Sequence, residues 1–173
     1  AAVAVPDLLA QVLGGDGAHA LRAAARECVG ALLRLRGEGA RVGLVEVSRG
    51  VPLFTPSLLR AFDPDRLDCV VLTPCAETAE WCRQSHDEFP GLRVQLAGDG
   101  AGEGEGQAEG TAALAMVVND FADEAEALAL LGRARRALAP DGTLVLVGLA
   151  RSRWMDILPA GPSALLPASR WRE

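Results

Sequence analysis

Lysine and tyrosine are absent from the 173 residues, and aromatic residues make up only 4%. Without lysine there is no Schiff-base lysine and no P-loop lysine to hold a phosphate. The joint absence of lysine and tyrosine excludes a short-chain ketoreductase. Arginine fills all 17 basic positions against 23 acids, which leaves a net charge of −6. An acidic chain with scattered arginines is a poor match to a nucleic-acid backbone. Long apolar runs are lacking too. The longest, at 112–118 and 144–150, are far too short to span a bilayer. Ala1–Val5 is followed at once by Pro6 and Asp7, which is not a signal peptide. Cys28, Cys69, Cys75 and Cys82 include no CxxC pair and read as reduced, cytosolic thiols. The length is that of one domain, and the missing initial Met reads as a piece cut from a longer chain.

What is present is a regular alternation. Leu21, Ala24, Ala25, Cys28, Leu32 and Leu35 recur at spacings of three and four and predict a helix over 17–36, stopped by Gly37 and Gly39. Residues 41–47 (RVGLVEV) are almost wholly apolar, as in a strand covered on both faces. Thr55-Pro56 reads as an N-cap and first helical position for a short helix over 57–62. A strand at 67–72 follows, then Thr73-Pro74 opens a helix reaching to about residue 88, and 92–96 is a third strand. The segment 98–110 (GDGAGEGEGQAEG) has no large apolar group and reads as a flexible loop inside the domain. Residues 113–118 form a fourth strand. The helix at 123–138 has acids in its first turn and Arg133, Arg135 and Arg136 in its last, matching the macrodipole. Pro140-Asp141-Gly142 predicts a turn before a fifth strand at 143–147. The order is that of an α/β fold, a parallel sheet with helices on both faces.

Ligands of such folds bind at the carboxyl ends of the strands near the switch point, so residues 46–55 (EVSRGVPLFT) matter most. This segment resembles the first motif of the class I S-adenosylmethionine-dependent methyltransferases, specifically the domains embedded in polyketide synthases and animal-type fatty acid synthases. Members of that family carry an acid and three alternate glycines after the first strand. Glu46 matches the acid and Gly50 the second glycine; Ser48 and Pro52 stand where the other two would be. Leu72-Thr73-Pro74, residues 116–121 (MVVNDF), residues 136–146 (RALAPDGTLVL) and residues 166–171 (LPASRW) resemble later family segments in the same order.

The resemblance implies a Rossmann-like sheet in the order 3-2-1-4-5, with the family's last hairpin missing. It also implies S-adenosylmethionine as cofactor, held through Glu46, Ser48, Gly50 and Asp99 if it binds at all. The departures point the other way. Pro52 fixes φ and removes an N–H where a glycine would let backbone approach the cofactor. No acid stands in Val71-Leu72-Thr73 to accept the ribose hydroxyls, a loss of about 1.5–3 kcal/mol per charge-assisted bond. No His occurs in Asn119-Asp120-Phe121-Ala122, where carbon-methylating members keep their base. The implied reading is a structural, non-catalytic domain of a modular polyketide synthase that binds no cofactor, its partners being neighbouring domains of the same chain. The alternatives are an active methyltransferase acting on a carrier-bound acyl chain and a docking module for a carrier protein or trans-acting enzyme. Val51, Leu53 and Phe54 are expected to fill the cleft. His86 falls on the stripe Cys75, Ala79, Cys82, Phe89 and reads as a structural residue; Cys75 and Cys82 read as packing, with too few further ligands for a metal. Trp154, Met155, Ile157, Leu158 and Trp171 give the tail apolar groups that fold back on the sheet or dock on a neighbour.

Overall fold

Side chains alternate across a strand, and here both alternating sets carry buried apolar residues. Val42 and Leu44 of the first strand join one buried cluster, and Val45 and Val47 join another. A strand with two buried faces belongs inside a sheet covered by helices on both sides. The structure is a computed structural model that describes residues 16–85, 88–89, 91–96, 110–118 and 124–147. Its elements are α1 (Asp16–Arg36), β1 (Val42–Val47), α2 (Thr55–Ala61), a 3₁₀ turn (Pro64–Arg66), β2 (Leu67–Thr73), α3 (Ala76–Gln84), β3 (Leu92–Leu96), β4 (Ala112–Val118), α4 (Glu124–Ala137) and β5 (Leu138–Val147).

The five strands form one parallel sheet in the order β3-β2-β1-β4-β5. Residues of α1, α2 and α3 share one core with Leu44, Cys69, Leu114 and Met116. Ala127, Leu130 and Ala134 of α4 share the other with Val45, Val47, Ala115 and Val117. The order reverses between β1 and β4, so right-handed crossovers place α4 opposite the earlier helices. Among the described residues no helix is long and apolar enough to cross a membrane.

Four local expectations are corrected. Thr55 is the first residue of α2, not its cap; the N-cap is Phe54, whose side chain makes no capping bond. The helix expected from Thr73-Pro74 starts at Ala76, because Thr73 Oγ1 accepts the Cys75 N–H and shapes a turn first. It ends at Gln84 rather than near 88, with Phe89 N–H closing a further turn on the Ser85 carbonyl. β5 starts at Leu138, not Thr143. The pairing Ala112↔Leu138 resumes only at Leu114↔Thr143, so residues 139–142 bulge from the ladder where the turn was expected. Gly142 is required in that bulge, since a Cβ there would stand 2.8 Å from the Ala112 carbonyl oxygen.

The stripe read on α3 is present in part: Ala79, Cys82 and Phe89 are buried and Cys75 is half-buried. Burial pushes the Cys69 thiol up to about 12 and the Cys82 thiol up to about 11. Thiolate is the reactive form. Cys28, exposed on α1, should therefore be alkylated first by iodoacetamide at pH 8, with Cys69 and Cys82 modified only on unfolding. Modification of Cys69 in the folded chain would contradict this core, and mass mapping of the labelled peptides decides it. His86, Asp99, residues 119–122, nearly all of the 98–110 segment and the apolar tail lie outside the described residues.

Candidate functional site

Glu46 is the one fully buried acid among the described residues. It lies on β1 opposite Val71 and Met116, and its side chain is fully buried. An ionised carboxylate can only accept hydrogen bonds, and a buried one needs partners for both oxygens. The loop after β1 supplies them. Leu53 N–H donates to Oε1 at 2.6 Å, Phe54 N–H reaches both oxygens at 3.1 and 3.2 Å, and Thr55 donates to Oε2 through both its N–H and its Oγ1, each at 2.7 Å. Phe54 and Thr55 stand at the start of α2, where N–H groups lack a partner within the helix, and Leu53 is the loop residue before them. Glu46 thus caps from across the loop a helix whose own N-cap residue offers no acceptor. Burial raises the carboxyl above its ordinary value, and the bonds from Thr55, Phe54 and Leu53 oppose that rise.

The rest of the loop is tied down as closely. Ser48 N–H donates to the Leu72 carbonyl at 3.1 Å, and Ser48 Oγ donates to the Gly50 carbonyl at 3.1 Å. Thr78 Oγ1 on α3 donates to the Arg49 carbonyl at 2.7 Å. From the other side of the sheet, Glu126 on α4 accepts both oxygens' worth of contact from Arg49 Nη1, at 3.1 and 3.2 Å. This ion pair joins the β1 loop to the helix that follows β4, so it spans the β1–β4 switch point. Pro52, Leu53 and Phe54 are buried, with Phe54 only 2% exposed. Val51, expected to help fill the cleft, is 60% exposed. A β-branched residue beside a buried proline turns outward here because the loop spends its inward positions on Leu53 and Phe54. At the end of β2, Leu72 and Thr73 are buried and carry no carboxylate. The nearest acid downstream, Glu77, is exposed on the first turn of α3 and accepts the Cys75 thiol at 3.0 Å.

Of the four positions read as cofactor contacts, Glu46, Ser48 and Gly50 meet at the carboxyl end of β1, and Asp99 lies outside the described residues. Arg49, Thr78 and Glu126 belong to the same network and were not singled out from sequence, and Thr55, read there as a cap, belongs to it too. Among the described residues no cluster of three or more His, Cys, Asp or Glu side chains could hold a metal.

No protein-family model matches this sequence, and no curated protein matches it. Solved structures do. The DszA carbon methyltransferase superposes with a TM-score of 0.73 over 96% of this chain and 49% of its own, at 21% identity. The fold is that of the methyltransferases. The CurJ carbon methyltransferase shares this fold at a TM-score of 0.60 and 19% identity, over 79% of this chain and 40% of its own. The citrinin polyketide synthase CMeT domain shares it at 0.54 and 14%, over 79% and 39%. The chain spans less than half the length of each of these three proteins. In this methyltransferase fold the switch point between β1 and β4 is the expected ligand crevice, and it is where Glu46, Ser48 and Arg49 converge.

Proposed function

We propose that this chain is a non-catalytic, structural domain of methyltransferase fold in a modular polyketide synthase, and that it binds no S-adenosylmethionine. The observation that carries this reading is the Glu46 carboxylate, whose oxygens are taken up by Leu53, Phe54 and Thr55 of its own loop. The residues present do not fit the cofactor. Pro52 offers no N–H, the side chains of Leu53 and Phe54 occupy the interior, β2 ends without an acid, and the Arg49–Glu126 pair bridges the crevice. The synthase context rests on the likeness to a polyketide synthase CMeT domain and to two carbon methyltransferases.

An architectural role needs an interaction surface, and β5 offers one. It stands at an edge of the described sheet, with Leu144, Val145 and Leu146 each about 40% exposed, alternately on its two faces. A long apolar edge strand left bare invites pairing. Neighbouring domains of the same synthase are the partners this reading assigns to it, in the cytoplasm, with a carrier protein as a further candidate.

The competing reading, an active methyltransferase on a carrier-bound acyl chain, draws on the fold and on Glu77 as a displaced ribose acid. Calorimetry separates the two. Titration with S-adenosylmethionine and S-adenosylhomocysteine should give no binding tighter than about 100 μM, near −5.5 kcal/mol. A tighter dissociation constant, lost in Glu77→Ala, would establish the active reading instead.

A further inference from the structure

Beside the β1 loop, a groove of about 420 Å³ runs between α1, α2 and the end of α3. None of Glu46, Ser48, Arg49 or Gly50 lines it. Its charged lining is three arginines, Arg22, Arg26 and Arg60, against one acid, Glu88. Arg60 is already engaged, paired with Glu88 and stacked over the Phe89 ring at 4.8 Å. Among the described residues Arg22 spends only its Nε, donating to the Leu53 carbonyl at 3.1 Å. Arg26 has no partner among the described residues.

Arg22 and Arg26 stand one turn apart on the same face of α1. Like charges in that relation destabilise a helix. In a chain of net charge −6 they are not part of a generally basic surface. Between them and α3 the floor is apolar: Val51, Pro52, Leu53 and the half-buried Trp81. Val51, turned out of the core, faces this groove. Paired guanidiniums bind phosphate or carboxylate oxygens in a fork geometry, and the volume is in the range of small-molecule sites.

We propose that this groove is a binding site for an amphipathic anion, its phosphate or carboxylate head held by Arg22 and Arg26 and its alkyl part lying along Val51, Pro52 and Trp81. The site needs neither the presence nor the absence of a cofactor at the switch point, so it stands or falls apart from the architectural reading.

Calorimetry of the whole chain at low ionic strength, with hexyl phosphate, hexanoate and inorganic phosphate as probes, tests it. Hexyl phosphate should bind about tenfold or more tightly than inorganic phosphate, because only the ester covers the apolar floor. Hexanoate within about threefold of hexyl phosphate identifies a carboxylate head as sufficient, and a much weaker hexanoate identifies phosphate as the head group. Arg26→Gln should weaken hexyl phosphate by about tenfold with no change in melting temperature, since that side chain has no partner among the described residues. Val51→Ser should narrow the advantage of the ester, since Pro52 and Trp81 remain, and leave inorganic phosphate unaffected. Equal affinity for hexyl and inorganic phosphate, or full affinity in Arg26→Gln and in the Arg22→Gln/Arg26→Gln pair, overturns the proposal.

Discussion

Glu46→Ala should cost the fold at least about 3 kcal/mol, because it removes the acceptor for three buried backbone N–H groups at about 1–3 kcal/mol each. Leu53, Phe54 and Thr55 all donate to this one carboxylate, and Thr55 adds its hydroxyl. Alanine offers none of them a replacement, and the buried site leaves room for little repair by solvent. Glu46→Gln should be milder, by about one orphaned donor or 1–3 kcal/mol. Its single oxygen can serve Leu53 and Phe54, and its amide can donate to Thr55 Oγ1, but the Thr55 N–H then faces another donor. Urea unfolding followed by circular dichroism measures both. If Glu46→Ala proves no worse than Glu46→Gln, the carboxylate is not what holds the loop.

The same pair of proteins carries a pH signature. Burial raises the folded-state pKa of Glu46 above the ordinary carboxyl value of 4.5. A carboxyl raised on folding contributes its full stability below the unfolded value and loses it as pH climbs through the folded value. Glutamine at position 46 does not titrate. The stability gap between the wild type and Glu46→Gln should therefore be widest below pH 4.5 and narrow as pH rises. A gap that widens with pH would mean that the four donors outweigh burial.

Element order was legible because it is written in spacing. The three-and-four stripe of α1, the apolar runs of β1 and β4 and the charge bias of α4 are local patterns, and each element stands within a residue or two of its expected span. The strand order was implied by the resemblance and not by spacing, since nothing local says that β4 returns to pair with β1. The site was half legible. Glu46, Ser48 and Gly50 could be placed at the end of β1, but not the direction in which the Glu46 side chain is satisfied. Its partners lie seven to nine residues on, in a loop without periodicity, and Arg49 meets Glu126 across 77 positions. The misread cap has the same origin. Thr55 has the right chemistry for an N-cap, yet its hydroxyl is drawn to the buried carboxylate, which does the capping instead.

Phe54→Ala is the companion test, because the loop is held by packing as well as by hydrogen bonds. The Phe54 side chain is 2% exposed and joins the core that contains Leu53, Leu58, Leu59 and Phe89. Removing a buried phenylalanine ring costs about 3–5 kcal/mol, the lost transfer term plus the cavity left behind. Relaxation should recover little of that cost, since Phe54 N–H is fixed to Glu46 and its carbonyl accepts the Leu58 N–H at 3.0 Å. In a chain of this size the loss corresponds to a fall in melting temperature of about 6–20 °C. Val51→Ala, three positions earlier and 60% exposed, should stay within about 0.5 kcal/mol of wild type. The contrast separates a loop closed on its own side chains from an open crevice: equal effects at the two positions would mean that Phe54 does not fill the interior, and the reading of a cleft closed against S-adenosylmethionine would lose its packing argument.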